Sequence, residues 1–232
     1  MKRLAIIPAR GGSKRIPRKN IRPFCGVPII KYSIDAAIQS QCFDEIMVST
    51  DDKEIACIAE KYGAKIPFLR SAATANDYAT TADVLVEVIN NYSKIGINFD
   101  YVCCIYPTAP FVTPEIINDS YNKIIQNKAK SAFPVVKFEY SIYRGLRKNK
   151  DDKLEMLWPK NISVRSQDLE EAFHDAGQFY WLKVDSLMKE KIVFSDQSIG
   201  IEVSCLNVQD IDNENDWKLA EIKYKHFKNL EF

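Results

Sequence analysis

The chain has 232 residues, 46% hydrophobic and 27% charged, the composition of a folded α/β protein large enough for a full core. Its 32 basic residues are balanced by 31 acidic ones, for a net charge of +1, which argues against a broad basic face for nucleic acid or an anionic membrane. No apolar stretch approaches the roughly 20 residues that span a bilayer. The start MKRLAIIPAR also lacks the apolar core and cleavage site of a secretory leader, so the expected address is cytoplasmic.

In chain order, Leu4–Ile7 reads as a buried parallel strand that breaks at Pro8 into a loop. Helical spacing follows over Ile29–Ala37, then a second strand over Asp44–Ser49. Asp51–Tyr62 reads as a helix, with two aspartates at its positive end and Gly63 as its stop. Thr80–Ser93 is a further amphipathic helix, Tyr101–Ile105 a buried strand, and Pro114 opens a helix to about Gln126. Ala132–Val136 is another strand. From about Lys137 to Glu170 the pattern turns charged, aromatic and irregular, with hairpin-like pieces meeting near Lys148–Asp152, and reads as an inserted arm. Strand character returns at Phe179–Leu182 and Ile201–Leu206, and Asp216–Phe227 closes the chain as a helix. Strands alternating with helices predict an α/β fold of one domain. The six cysteines form no C-x-x-C pair and have neither histidine in zinc-like spacing, so buried reduced thiols are expected.

The loop after the first strand carries the strongest chemical signal. Gly11, Gly12 and Ser13 are crowded by Arg10, Lys14, Arg15, Arg18 and Lys19, a place suited to a polyanion. A solvated charge run is the alternative. Two features argue against it: the position straight after a strand, where open α/β sheets place ligands, and the stiffening by Pro17 and Pro23. Neither G-x-x-x-x-G-K-[ST] nor G-x-G-x-x-G is present, which points to a free nucleotide triphosphate held without either signature. Asp210 and Asp212 form a second piece, read either as hard oxygen ligands for Mg²⁺ or as an acidic turn with Asp212 or Asn213 capping the last helix. A third piece, Phe173–Trp181 (FHDAGQFYW), gathers His174, Asp175, Gln178 and aromatic rings around one glycine. No nucleophile-elbow serine accompanies it, and its polar groups and rings suit a sugar pocket.

Together these segments resemble the acylneuraminate cytidylyltransferases. IIPARGGSKRIPRKN looks like that family's opening signature, and STDD at 49–52, Arg70, Asp77 to Asp83, YPTAP at 106–110, RSQDL at 165–169 and DID at 210–212 resemble its later segments in order. Tyr106 stands where the sialic acid enzymes carry Gln, and HDAGQFYW is similar to the branch acting on pseudaminic acid.

The resemblance implies a Rossmann-like three-layer α/β sandwich of the nucleotide-diphospho-sugar transferase type, with a mostly parallel sheet. It implies one domain over 1–232 and a dimerisation arm at about 137–170. The implied reaction transfers CMP from CTP to the anomeric hydroxyl of a nine-carbon α-keto acid sugar and releases pyrophosphate. Pseudaminic acid is the expected acceptor, with sialic and legionaminic acids as alternatives. A keto-deoxyoctonate-activating enzyme and a nonenzymatic nucleotide sensor of the same fold are further alternatives. Arg10, Lys19 and Asp212 are the implied catalytic residues. Ala9, Arg10, Gly11, Gly12, Ser13, Lys14, Lys19, Asn20, Arg70 and Thr81 fall on the CTP side, with Thr81 also bordering the sugar. Tyr106, Arg165, His174, Asp175 and Gln178 fall on the sugar side, Arg165 reaching it or the subunit boundary, and Asp210 and Asp212 would hold Mg²⁺. A homodimer is implied, and neither a nucleic-acid nor a membrane partner.

Overall fold

A computed structural model of the chain describes residues 1–228. Its strands are β1 (Arg3–Pro8), β2 (Pro23–Phe24), β3 (Val27–Pro28), β4 (Glu45–Ser49), β5 (Tyr101–Ile105), β6 (Ser131–Lys137), β7 (Leu146–Lys148), β8 (Leu154–Met156), β9 (Phe173–Asp175), β10 (Phe179–Lys183) and β11 (Ser198–Glu202). Its helices are α1 (Ile30–Ser40), α2 (Lys53–Lys61), α3 (Thr81–Lys94), α4 (Pro114–Gln126), α5 (Val184–Glu190) and α6 (Glu214–Phe227). The main sheet runs β11-β6-β10-β5-β1-β4, with β9 continuing alongside β6. β1 pairs parallel with β4 and β5, and β11 with β6, whereas β10 and β9 run against their neighbours. The mostly parallel sheet is therefore interrupted by one reversed strand, broken at Ala176–Gln178, where Gly177 takes φ 61°. A left-handed residue there is what glycine tolerates best.

Alternation along β1 divides the core. Ala5 and Ile7 pack with α1, α2 and α4, while Leu4 and Ile6 pack with α3 and α5, giving three layers. Caps fix the helix starts: Asp52 opens α2, Thr80 and Asp83 form a capping box on α3, and Thr113 precedes Pro114 on α4. The β2–β3 ribbon serves as a dock for α6. Phe24 meets Tyr32, Trp217 and Tyr224 edge-on, with ring centroids 5.5–5.6 Å apart, pairs worth about 1 kcal/mol each beyond their buried area.

Three local expectations change. The last strand ends at Glu202 instead of Leu206: Val203 N–H still donates to Val135 O, but Cys205–Asn207 then coils into a 3₁₀ turn. α6 starts at Glu214 because Asn213 and Asp216 form a capping box there, which makes Asn213 the cap. Cys42, Cys103 and Cys104 are buried free thiols, but Cys57 is exposed on the outer face of α2, and Cys25 and Cys205 are half-buried. α5 and the β2–β3 ribbon had no separate expectation. Between β6 and β9 the irregular segment projects the β7–β8 hairpin, with Leu146, Leu154, Leu157 and Ile162 exposed. No helix among the described residues is long and apolar enough to cross a membrane.

Candidate active site

The carboxyl ends of β1 and β5 open onto one cleft of about 200 Å³, lined by Arg10, Ser13, Lys14, Arg15, Lys19, Asn20, Tyr106 and Thr108 among others. Its floor is the loop after β1, which side chains pin in place. Ala9 N–H donates to Ser49 O at 2.9 Å, Gly11 N–H to Asp51 Oδ1 at 2.9 Å, and the buried Asn20 amide to Arg10 O at 2.9 Å. A Cβ on Gly11 would stand 2.8 Å from the Asp52 carboxylate, so close approach is what requires glycine here. Gly12 faces open space. Arg18 sits at φ 56° and is held by Asp52 at 2.5 and 3.0 Å and by Glu54 at 2.5 Å.

The cations of the cleft already have partners. Asp77, from the loop before α3, bonds Arg10 at 2.7 Å and Lys14 at 2.5 Å, and those two hold its carboxyl below the usual range. A carboxylate bridging two cations has the charge and spacing that phosphate oxygens would take over. Sequence reasoning saw Asp77 only as part of a segment, and nothing in the spacing pairs it with Arg10. Arg70 is buried, with Nε on Ser49 Oγ at 3.1 Å and Nη2 on Ser49 O at 2.7 Å, and burial lowers its pKa.

On the opposite wall, Lys19 Nζ donates to Ile211 O at 2.6 Å and lies 3.9 Å from Asp212, while Arg15 pairs with Asp212 at 2.6 Å. The acidic pair thus meets the loop cations although 192 residues separate Lys19 from Ile211. Burial lowers the Lys19 pKa against the opposing pull of Asp212 and Asp210. Crowding by surrounding protein, and then the Asp212 charge, raises the Asp210 carboxyl above its ordinary value, although the residue itself stays accessible to water. Among the described residues no cluster of three or more metal-ligating side chains forms. Two adjacent carboxylates facing a phosphate-type loop nevertheless fit Mg²⁺, which takes one or two protein carboxylates and completes its shell with waters and phosphate oxygens.

The remaining residues divide. Thr81 Oγ1 lies 3.0 Å from the Tyr106 hydroxyl, Tyr106 packs on Tyr180 at 5.5 Å between centroids, and Tyr180 OH donates to Asp175 Oδ2 at 2.6 Å. The structure therefore joins Thr81, Tyr106 and Asp175 through the buried Tyr180, whose phenol burial pushes far up. His174 bonds the backbone oxygen of Asp175, not its carboxylate, and packs on Phe138. His174, Asp175 and Asp210 line a second cavity of about 350 Å³ with Lys223. Gln178 is buried and donates its amide to Asn207 O at 2.8 Å. Arg165 stands on the arm, 74% exposed and paired with Asp168, and lines neither cavity. Lys223 was missed, since a lysine on a terminal helix carries no signal of its own, and Tyr180 was read only as one ring of the FHDAGQFYW segment.

A sequence profile described as Cytidylyltransferase matches residues 4–213. The chain belongs to the cytidylyltransferase family. It is 43% identical over 228 residues to the pseudaminic acid cytidylyltransferase of Campylobacter jejuni, covering 97% of both chains. It is also 32% identical over 230 residues to the CMP-N,N'-diacetyllegionaminic acid synthase of Legionella pneumophila, covering 95% of both. Among solved structures, a CMP:2-keto-3-deoxy-manno-octonic acid synthetase complexed with CTP superposes with a TM-score of 0.71 at 18% identity, covering 99% of this chain and 100% of that one. That similarity establishes the fold, which is the nucleotide-diphospho-sugar transferase architecture the sequence implied.

Proposed function

We propose that this cytidylyltransferase transfers CMP from CTP to the anomeric hydroxyl of pseudaminic acid and releases pyrophosphate. The observation that carries the reading is the 43% identity to the Campylobacter jejuni enzyme over 97% of both chains. The cleft supports it: Arg10, Lys14, Arg15 and Lys19 of the β1 loop line one opening, and Asp212 of the loop before α6 pairs with Arg15 and Lys19 there.

In this reading the sugar hydroxyl attacks the α-phosphorus of CTP in line, and pyrophosphate leaves from the opposite side. No enzyme nucleophile is needed, so the chain acts by positioning and charge neutralisation. Arg10 and Lys14 exchange Asp77 for the phosphates, with Ser13 beside them, and Lys19 and Arg10 offset charge as it builds on the leaving group. Arg70 and Asn20, with the backbone of Ala9, border the nucleoside. Thr81, Tyr106, Asp175 and His174 face the acceptor. Asp210 and Asp212 would hold Mg²⁺, which when bound withdraws charge from phosphate oxygens and makes a nearby hydroxyl more acidic. The exposed leucines and Ile162 of the arm form the proposed homodimer contact, bringing Arg165 to the subunit boundary, and the proposed address is the cytoplasm.

A second acceptor, legionaminic acid, is favoured by the 32% identity to the Legionella pneumophila synthase. The test is purified protein with CTP, Mg²⁺ and separate pseudaminic, legionaminic and sialic acids, with mass detection of each CMP-sugar and of pyrophosphate. CMP-pseudaminic acid as the main product is expected. Turnover confined to another acid would overturn the acceptor assignment, and pyrophosphate release with none of them would overturn the reaction.

A further inference from the structure

The loop from Val203 to Asn213 carries both carboxylates of the acidic pair, yet it is neither strand nor α-helix. Its carbonyl groups are captured by side chains from three distant parts of the fold. Lys223 Nζ donates to Cys205 O at 3.1 Å and to Val208 O at 2.8 Å. Gln178, on the broken strand between β9 and β10, donates to Asn207 O at 2.8 Å. Lys19 donates to Ile211 O at 2.6 Å. At its far end the loop is fixed by the Asp216 carboxylate, which accepts from Asp212 N–H and Asn213 N–H at 2.9 and 3.0 Å.

These anchors are unequal in what they secure. Asp212 is tied directly, through its own N–H to Asp216 and through the Ile211 carbonyl beside it to Lys19. Asp210 is tied, among the described residues, only by the amide of its own neighbour Gln209, which donates to Asp210 O at 3.0 Å, so its position follows from the turn that ends two residues earlier at Val208. Among the described residues, the hydrogen bonds that cross-link that turn to α6 come from Lys223, whose ammonium spans carbonyls three residues apart. A charged head held by two carbonyl oxygens makes charge-assisted bonds, stronger and shorter than neutral ones. Lys223 stands one turn after the buried Ala220 and next to the buried Tyr224, so its stem lies along the docked side of α6. The aromatic cluster that fixes α6 on the β2–β3 ribbon thereby also fixes the turn before Asp210.

We propose that Lys223 is a positioning residue for the acidic pair: it pins the Cys205–Val208 turn to α6 and so sets where Asp210 stands relative to Asp212. The inference rests on the reading that these two carboxylates hold the divalent cation. Residues that orient ligand-bearing groups without touching the metal change its affinity by about 10- to 100-fold when removed. Lys223 acts through backbone and not through a ligand atom, which places its effect at the lower end, about tenfold.

The experiment titrates Mn²⁺ against the full chain in the presence of CTP and follows free Mn²⁺ by electron paramagnetic resonance. Wild type, Lys223→Met, Lys223→Arg and Asp212→Ala are compared, with CTP binding in EDTA as a second readout. Lys223→Met is expected to weaken Mn²⁺ about tenfold and to leave CTP binding in EDTA unchanged. Lys223→Arg, which keeps the charge and donors, is expected to recover most of the loss. Lys223→Gln, with one donor retained, gives a smaller loss and serves if the methionine variant does not fold. A folded Lys223→Met or Lys223→Gln protein with wild-type Mn²⁺ affinity overturns the proposal, because a purely structural lysine would lower stability alone. An increased KM for the acceptor sugar at unchanged Mn²⁺ affinity also overturns it, since Lys223 would then contact the sugar. Failure of the metal reading itself is distinct: wild type would bind no Mn²⁺, or Asp212→Ala would bind it as well as wild type.

Discussion

Replacing Asp52 by asparagine should unfasten the loop after β1 without uncapping α2. Asp52 Oδ1 accepts from Glu54 N–H and Ile55 N–H at 2.9 and 3.0 Å, bonds that asparagine also supplies. The Arg18 ion pair is lost. Arg18 first, and the two cap bonds after it, hold the Asp52 carboxyl at about 2, against an ordinary 3.8. A shift of that size corresponds to about 2.5 kcal/mol of stability at neutral pH. With 38% of the Arg18 side chain in water, screening leaves about 1.5 kcal/mol for the ion pair. The carboxyl is depressed, so its ionised form stabilises the fold. The contribution is complete above 3.8 and disappears as pH falls through about 2. Urea unfolding at pH 7 should find Asp52→Asn less stable by about 1.5 kcal/mol, and Asp52→Ala by about 2.5 kcal/mol because the cap adds about 1. At pH 3 the asparagine deficit should shrink to about half. Arg18→Met should lose at least as much, because its contact with Glu54 goes too, and the double variant should be no worse than Arg18→Met alone. Because Arg18 sits at φ 56° under this restraint, CTP should also bind more weakly. Equal stability of Asp52→Asn and wild type at pH 7, or a deficit that grows on acidification, would refute the reasoning.

Three further outcomes are expected. Lys19 has a pKa lowered from 10.5 by burial, so the ammonium is lost, and kcat/KM falls, at a lower pH than for a free lysine; Lys19→Arg should move that alkaline limb upward, and an unmoved limb would remove Lys19 from the charge-bearing step. Arg70 is buried on Ser49 without a carboxylate, and Ser49 O keeps its bond from Ala9, so Arg70→Met should change stability by no more than about 1 kcal/mol while CTP affinity drops; calorimetry for both quantities checks this, and retained affinity would exclude Arg70 from the nucleotide site. Ile162 is 70% exposed on the arm, so Ile162→Glu should cost under about 0.5 kcal/mol yet convert a dimer to a monomer in light scattering, and an unchanged mass would locate the contact elsewhere.

Much of this arrangement is visible in local chemistry. Buried strands such as Tyr101–Ile105 and the amphipathic period of Thr81–Lys94 follow from side-chain patterning over a few residues. So do the caps and the Gly-Gly loop crowded by cations, because each depends on neighbours in sequence. The last strand shows where that logic fails. Val203–Leu206 is apolar enough for a strand, but β6 offers Val203 its last carbonyl at Val135, and side-chain donors capture the carbonyls beyond. Cys57 illustrates the same limit, since an apolar-looking thiol lands on the outer face of its helix.

The sequence by itself determined the alternating α/β order, the cation-crowded Gly-Gly loop, the acidic pair and, through the resemblance of several ordered segments, the family. Those features are written in short windows where residue type dictates conformation or charge. Only the tertiary structure decided which charges meet: Asp77 bridging Arg10 and Lys14, Arg15 and Lys19 facing Asp212, and Lys223 holding the turn before Asp210. The reason is that these contacts join residues brought together by sheet order and by the docking of α6, and a side chain's partner across such distances is set by packing, which no local pattern records.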